Sequence, residues 1–483
     1  MSLKQKAIKG FSWTIFEGIF SQGAIFIVGI ILARLLTPED FGVVGIITAI
    51  ITVTNSVVEA GFGSALIRKV DANEKDYNTV FYTNLISAIC LYLLLWVLAP
   101  VIADFFETEI LINLIKVSGL ILVVNGIVII QRTLLTKQLD FKKLGIFAVI
   151  SSLLAGGAAI YLAYQNYGVW SLIAFSVLRP LLNSIMLWLS SNWKPKLQFS
   201  KNSFTELFNF GYKLLITNLV NTVYKNIYYF VIGKHFTPSA LGFYTRADQF
   251  QTPFSTNITF AIRRISFPIL SNFQNDKQNL KIKFIQFIRY SMFLNFTIML
   301  VIAAVAKPLV LITIGEKWET SIIYLQLLCI PGMLYPLQIL HLNLLLIKGY
   351  SNLNLRLEII KKIILIPIIF ITVNYGIVYM IYGLILFSII EYFINSFYTK
   401  KIISYTLKDQ FKDFLPFFIL SFIPFIAMIS VTFTDLNVFI MLPTQLITGI
   451  VVFILMNEIL QQKEYKMAKE KLMSLLKKRI NEK

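Results

Sequence analysis

Three basic residues sit where a bilayer would make charge costly. Arg179, Lys225 and Arg263 lie within long apolar runs, and an ionisable group at membrane depth marks a ligand, an ion path or a protein partner. A guanidinium presents a planar fork of N–H donors and an ammonium a compact point charge, so each reads as a functional cation, with a structural ion pair as the other reading. Arg179 stands near the middle of its run, too deep to reach water by stretching. Pro180 loosens the helix beside it. Arg263 lies closer to the end of its run, where topology accounts for part of its presence. Glu17 and Glu391 occupy inner halves of their runs and are candidates for ion or proton coupling, with hydrogen-bonded helix packing as the other reading.

Neutral polar side chains recur at helical spacing around these charges. Thr14, Glu17, Gly18, Ser21 and Gln22 share one face, as do Thr217, Asn218, Asn221, Thr222 and Lys225. A third stripe carries Gln249, Thr252, Thr256, Thr259 and Arg263. Polar stripes are unfavourable in lipid unless they meet water or protein, which makes them candidate cavity walls. Catalytic chemistry finds little to work with. His235 and His341 lack a nucleophile and an orienting partner, so His341 reads as a packed imidazole. Cys90 and Cys329 both fall in apolar runs, without the spacing of a disulfide framework or metal site. No cofactor and no metal is expected.

The elements that must hold these residues follow from composition. Of 483 residues, 57% are hydrophobic and 14% charged, whereas soluble domains carry about a quarter charged residues. Apolar runs near the ~20 residues of a membrane crossing recur from Phe11 to Met456. Lipid leaves no open sheet edge satisfied, so the runs are helices. The sequence predicts an all-α polytopic membrane protein of about fourteen spans, including 11–34, 41–63, 211–233, 243–268 and 357–374. Basic residues concentrate in alternate loops, Arg132, Lys361 and Lys362 being counted among them, which places both termini in the cytoplasm of a bacterial inner membrane. The net charge of +19 thereby reads as topology, with no nucleic-acid partner. The basic start, residues 1–10, leads directly into a full-length run and reads as a first helix, not a removable signal. Residues 461–483 form a basic amphipathic tail suited to anionic membrane lipids.

The chain also repeats itself. Arg34-Leu35-Leu36-Thr37-Pro38 leads to Gly42, and two hundred residues later Lys234-His235-Phe236-Thr237-Pro238 leads to Gly242. Asn166-Tyr167-Gly168 recurs as Asn374-Tyr375-Gly376 at nearly the same offset. An even number of spans separates the copies, so they share one orientation and an axis along the membrane normal. The expected organisation is a six-helix lobe over 1–200, a second over 201–410, and two further helices over 411–460. The polar stripes of the first and seventh spans overlap when the repeats are superposed, as two walls of one cavity would.

The run Leu32-Ala33-Arg34-Leu35-Leu36-Thr37-Pro38-Glu39-Asp40-Phe41-Gly42 resembles a signature of Wzx-type polysaccharide flippases of the WzxC-like branch. These belong to the multidrug/oligosaccharidyl-lipid/polysaccharide exporter superfamily. Glu59-Ala60-Gly61-Phe62-Gly63-Ser64-Ala65-Leu66-Ile67, Gly242-Phe243-Tyr244-Thr245-Arg246-Ala247, Phe267-Pro268-Ile269-Leu270-Ser271 and Gly315-Glu316-Lys317-Trp318 extend the resemblance to the tenth span. It implies two six-helix lobes plus two helices, and alternating-access transport of polyprenyl-diphosphate-linked oligosaccharide. It also implies the glycosyltransferases and polymerase of the same pathway as partners. A multidrug exporter of cations is the rival within the superfamily, and the basic character of the deepest charges speaks against it. A membrane polymerase or ligase would need a large outer loop with catalytic groups, and the outer loops are short.

Overall fold

A computed structural model describes residues 20–59, 61–462, 464–467, 469, 470 and 474. Every regular element among them is a helix. Ten helices are long and apolar enough to cross a membrane by length and composition. Four others complete the series: α1, described over Phe20–Leu35, α9 (Lys201–His235), α10 (Pro238–Asn272) and α14 (Ser351–Thr372). Of these, α9 and α10 carry polar stripes, α1 carries Ser21 and Gln22 of the first stripe, and α14 carries Arg356, Glu358, Lys361 and Lys362. Among the described residues the helices follow the expected order, ten of the expected fourteen being apolar enough to cross, and polar content separates these four from the rest.

Local signals set where helices begin. In α4 (Glu74–Phe105) the Asn73 side chain accepts from the Asp76 N–H at 3.1 Å, and Asp76 accepts from the Asn73 N–H at 3.0 Å. Such a reciprocal cap satisfies donors that a helix start leaves open. Ser200 caps α9, and Asp276 caps α11 (Lys277–Ala304), by accepting backbone N–H groups three residues on. These caps lengthen several helices beyond the apolar runs. Lys75 and Lys201 consequently lie in first turns, and Lys361 and Lys362 lie well inside α14.

The chain divides into two compact units, one ending at Thr245 and one beginning at Arg246. In the first, α2 (Pro38–Glu59) packs on α9 and on α6 (Leu120–Lys137), α4 packs on α6, and α7 (Phe141–Tyr164) lies along α8 (Val169–Leu189). In the second, α11 lies between α13 (Thr320–Ile347) and α17 (Leu407–Ser430). There α15 (Ile377–Ser396) packs on α13 and α14, and α18 (Val438–Leu460) on α17.

The repeated Pro-x-x-x-Gly segments meet each other inside the first unit. A Cβ on Gly42 would stand 1.7 Å from the Pro238 carbonyl oxygen, and a Cβ on Gly242 would stand 1.8 Å from that of Pro38. Residue i touching j while j's counterpart touches i's is the mark of a two-fold relation. Nearby, Lys234 donates to Glu107 at 2.8 Å. The second repeated tripeptide behaves consistently: Gly168 (φ 52°) and Gly376 (φ 106°) each precede a helix in the left-handed region that glycine tolerates.

Candidate anion-binding cavity

Inside the first unit, α2, α6, α7, α8 and the short α5 (Leu111–Ser118) enclose a cavity of about 340 Å³. Its size sits at the lower end of small-molecule sites, ~300–1,000 Å³. Arg179 of α8 and Arg132 of α6 both line it. They lie close enough for the two guanidiniums to repel each other, and neither has a carboxylate partner among the described residues. Both side chains are exposed, so their charge is available to a ligand. The remaining polar lining is neutral: Thr48, Thr52, Ser118, Asn125, Ser176 and Asn183. Pro180 has no N–H to give the Ser176 carbonyl, which leaves that oxygen without its helical partner.

Two fixed positive charges with no acid among the lining residues attract an anion and repel a cation. Guanidiniums bind phosphate oxygens through paired N–H donors, so the arrangement matches a phosphate or diphosphate.

The other sequence candidates fall elsewhere. Lys225 is exposed on α9 and does not line this cavity. Ser21 and Gln22 of α1 and Asn218, Asn221 and Thr222 of α9 belong to the same unit but are not among its lining residues. Thr222 donates its hydroxyl to the Asn218 carbonyl at 2.7 Å. Arg263 is exposed on α10 in the second unit. Thr252 donates to Asp248 at 2.7 Å, and Thr256 to the Thr252 carbonyl at 2.7 Å. Glu17 lies outside the described residues. Glu391 accepts from Lys361 at 2.9 Å, and Lys361 also pairs with Glu358, forming a cluster between α14 and α15 in which the lysine is buried and the carboxylates are partly buried. His341 is packed as expected, its Nδ1 2.8 Å from the Thr399 hydroxyl and its ring against Phe284.

Arg132 is the residue that sequence reasoning missed, because its place near a span's end made it look like a topology signal. Asn125 and Arg132 stand seven residues apart in a largely apolar stretch, which puts both on one helical face. That spacing was the available clue.

Residues 31–323, more than half of the chain, match the family described as polysaccharide biosynthesis protein. The chain belongs to that family. This family member is 29% identical to the teichuronic acid biosynthesis protein TuaB of Bacillus subtilis over 62% of each chain. It is 25% identical to the lipopolysaccharide biosynthesis protein WzxC of Escherichia coli, over 76% of this chain and 75% of that one. Among solved structures, the lipid II flippase MurJ in an inward closed conformation superposes with a TM-score of 0.75 at 16% identity. That superposition covers 94% of this chain and 98% of MurJ, and it fixes the fold as a MurJ-like multi-pass helical one.

Proposed function

We propose that this polysaccharide biosynthesis family member is a flippase. It translocates polyprenyl-diphosphate-linked oligosaccharide, the repeat unit of an O-antigen, capsule or exopolysaccharide, across the bacterial inner membrane by alternating access. The observation that carries the reading is the pair Arg132 and Arg179 on one cavity whose described lining holds no acid. A lipid-linked diphosphate is an anion that must pass lipid depth, and this pair supplies charge where lipid offers none. The same electrostatics disfavour export of cationic drugs. The names of the relatives agree: teichuronic acid and lipopolysaccharide biosynthesis for TuaB and WzxC, lipid II flipping for MurJ.

Within this reading the chain comprises lobes 1–200 and 201–410 followed by two helices, 411–460. The reciprocal contact of Pro38 and Gly42 with Pro238 and Gly242 supports the duplication. Both termini are cytoplasmic. Lys225, Arg263 and the stripe residues of α1, α9 and α10 are further stations for the polar head on its route. Glu391 serves ion coupling only through opening of its pair with Lys361. Glycosyltransferases and a polymerase act before and after this step.

Glycan export in a strain lacking the gene tests the proposal. Arg132→Ala and Arg179→Ala should each abolish export while protein abundance stays normal, and Arg179→Lys should restore only part of it. Unimpaired export in both alanine variants would overturn the site. Unchanged glycan after deletion of the gene, with new sensitivity to cationic dyes, would overturn the substrate class.

A further inference from the structure

We propose that the neutral wall of the Arg132/Arg179 cavity reads the sugar attached to the diphosphate, so that the first unit carries glycan selectivity as well as anion binding. This rests on the anion reading above and extends it.

The wall holds more acceptors than an anion site should. Asn125 donates through Nδ2 to Asn55 Oδ1 at 2.9 Å, and Asn55 donates through Nδ2 to Glu59 Oε1 at 3.3 Å. An ionised carboxylate only accepts, so Glu59 fixes the orientation of Asn55 and, through it, of Asn125. The Asn125 carbonyl is then the end turned away from that chain. Ser176 gives its hydroxyl proton to the Leu172 carbonyl at 2.9 Å, while Pro180 leaves the Ser176 carbonyl open. Oxygen acceptors beside two guanidiniums repel a bare phosphate. They suit a hydroxyl-bearing group joined to one, because each sugar hydroxyl donates as well as accepts.

Two further groups complete the set. Ser118 is fully buried at the cavity's edge, and its Oγ has no hydrogen-bond partner among the described residues. Asn183 lines the cavity, and its amide forms no hydrogen bond within the described residues. Buried hydroxyls are seldom left unbonded, so a ligand that supplies the missing bond is favoured. Amides and hydroxyls that both give and take, set against a cationic wall, are the complement of a glycosyl diphosphate. The volume of about 340 Å³ leaves room beyond a phosphate.

Binding to the full-length protein in nanodiscs separates the two parts. The probes are geranylgeranyl diphosphate and the same lipid bearing glucose, galactose or N-acetylglucosamine on its diphosphate. At least one sugar-bearing probe should bind wild type roughly tenfold more tightly than the bare lipid diphosphate, the gain of one or two well-made hydrogen bonds. Asn183→Leu and Ser118→Ala should erase most of that preference and leave bare lipid diphosphate binding unchanged. Glu59→Gln should do the same by letting the Asn55–Asn125 pair reverse. Arg132→Ala should weaken every probe. Ser118→Ala should also melt no lower than wild type without ligand, since it deletes an unbonded hydroxyl; a packing role would lower it. Sugar-bearing probes binding no more tightly than the bare lipid, or wall variants weakening all probes alike, would overturn the sugar wall and leave the anion site standing. Failure of wild type to bind any diphosphate would overturn the anion site and the wall with it.

Discussion

Arg132 and Arg179 repel each other across a cavity whose described lining gives neither a counter-charge. Breaking a buried ion pair leaves a stranded charge and costs ~3–5 kcal/mol, whereas removing one of two like charges relieves repulsion. Arg132→Glu should therefore hold or raise the melting temperature, by up to about 1 kcal/mol of stability, while abolishing export. A fall in melting temperature would mean that Arg132 has a structural partner. Lys361 is the opposite case. It is buried between Glu358 and Glu391, so Lys361→Ala strands two carboxylates and should cost ~3–5 kcal/mol, read as lost abundance and a lower melting temperature. Adding Glu358→Gln and Glu391→Gln should restore much of the abundance. No recovery would show that packing, not charge, made Lys361 necessary.

Helix ends are held together by backbone approach as much as by side chains. Gly42 and Gly242 leave no space for a methyl group, because the facing atoms are main-chain carbonyls that cannot swing aside. Gly42→Ala or Gly242→Ala should each destabilise by ~1–3 kcal/mol. The double variant should cost less than the sum, since the first substitution already parts the helices that the second would part. Additive losses in thermal melting would contradict a shared contact. The neighbouring tie from Lys234 to Glu107 is pH-sensitive. The hydrogen bond and charge of Lys234 hold the Glu107 carboxyl below the usual carboxylate range. This contact is therefore present above the usual carboxylate pKa and is lost as pH falls through the lowered one.

Across the whole molecule, the alternation of basic loops sets the direction of insertion. Reporter fusions after Lys75, Lys143, Lys201 and Lys283 should all register cytoplasm. An extracytoplasmic signal at any two of them would break the assignment and the parallel repeat with it. The structure places Lys75, Lys143 and Lys201 in helical first turns.

Hydropathy was sufficient for the helical class and for the order of the described helices, because lipid permits a long apolar run only one backbone solution. The repeat was legible too: Thr37-Pro38 with Gly42 and Thr237-Pro238 with Gly242 are contiguous signals, each set by a local turn. Arg179 stood out for its depth. Arg132 did not, since a cation near a span's end has two explanations that sequence alone leaves equal. Lys361 was misplaced among loop cations for the same reason, and its pairing with Glu391, thirty residues on, is a fact of α14 lying on α15. Tertiary structure alone decided which polar residues share a cavity. Helical periodicity fixes the face a side chain takes on its own helix, but not which neighbouring face it meets; packing chose α2, α5, α6 and α7 as neighbours around Arg179 of α8.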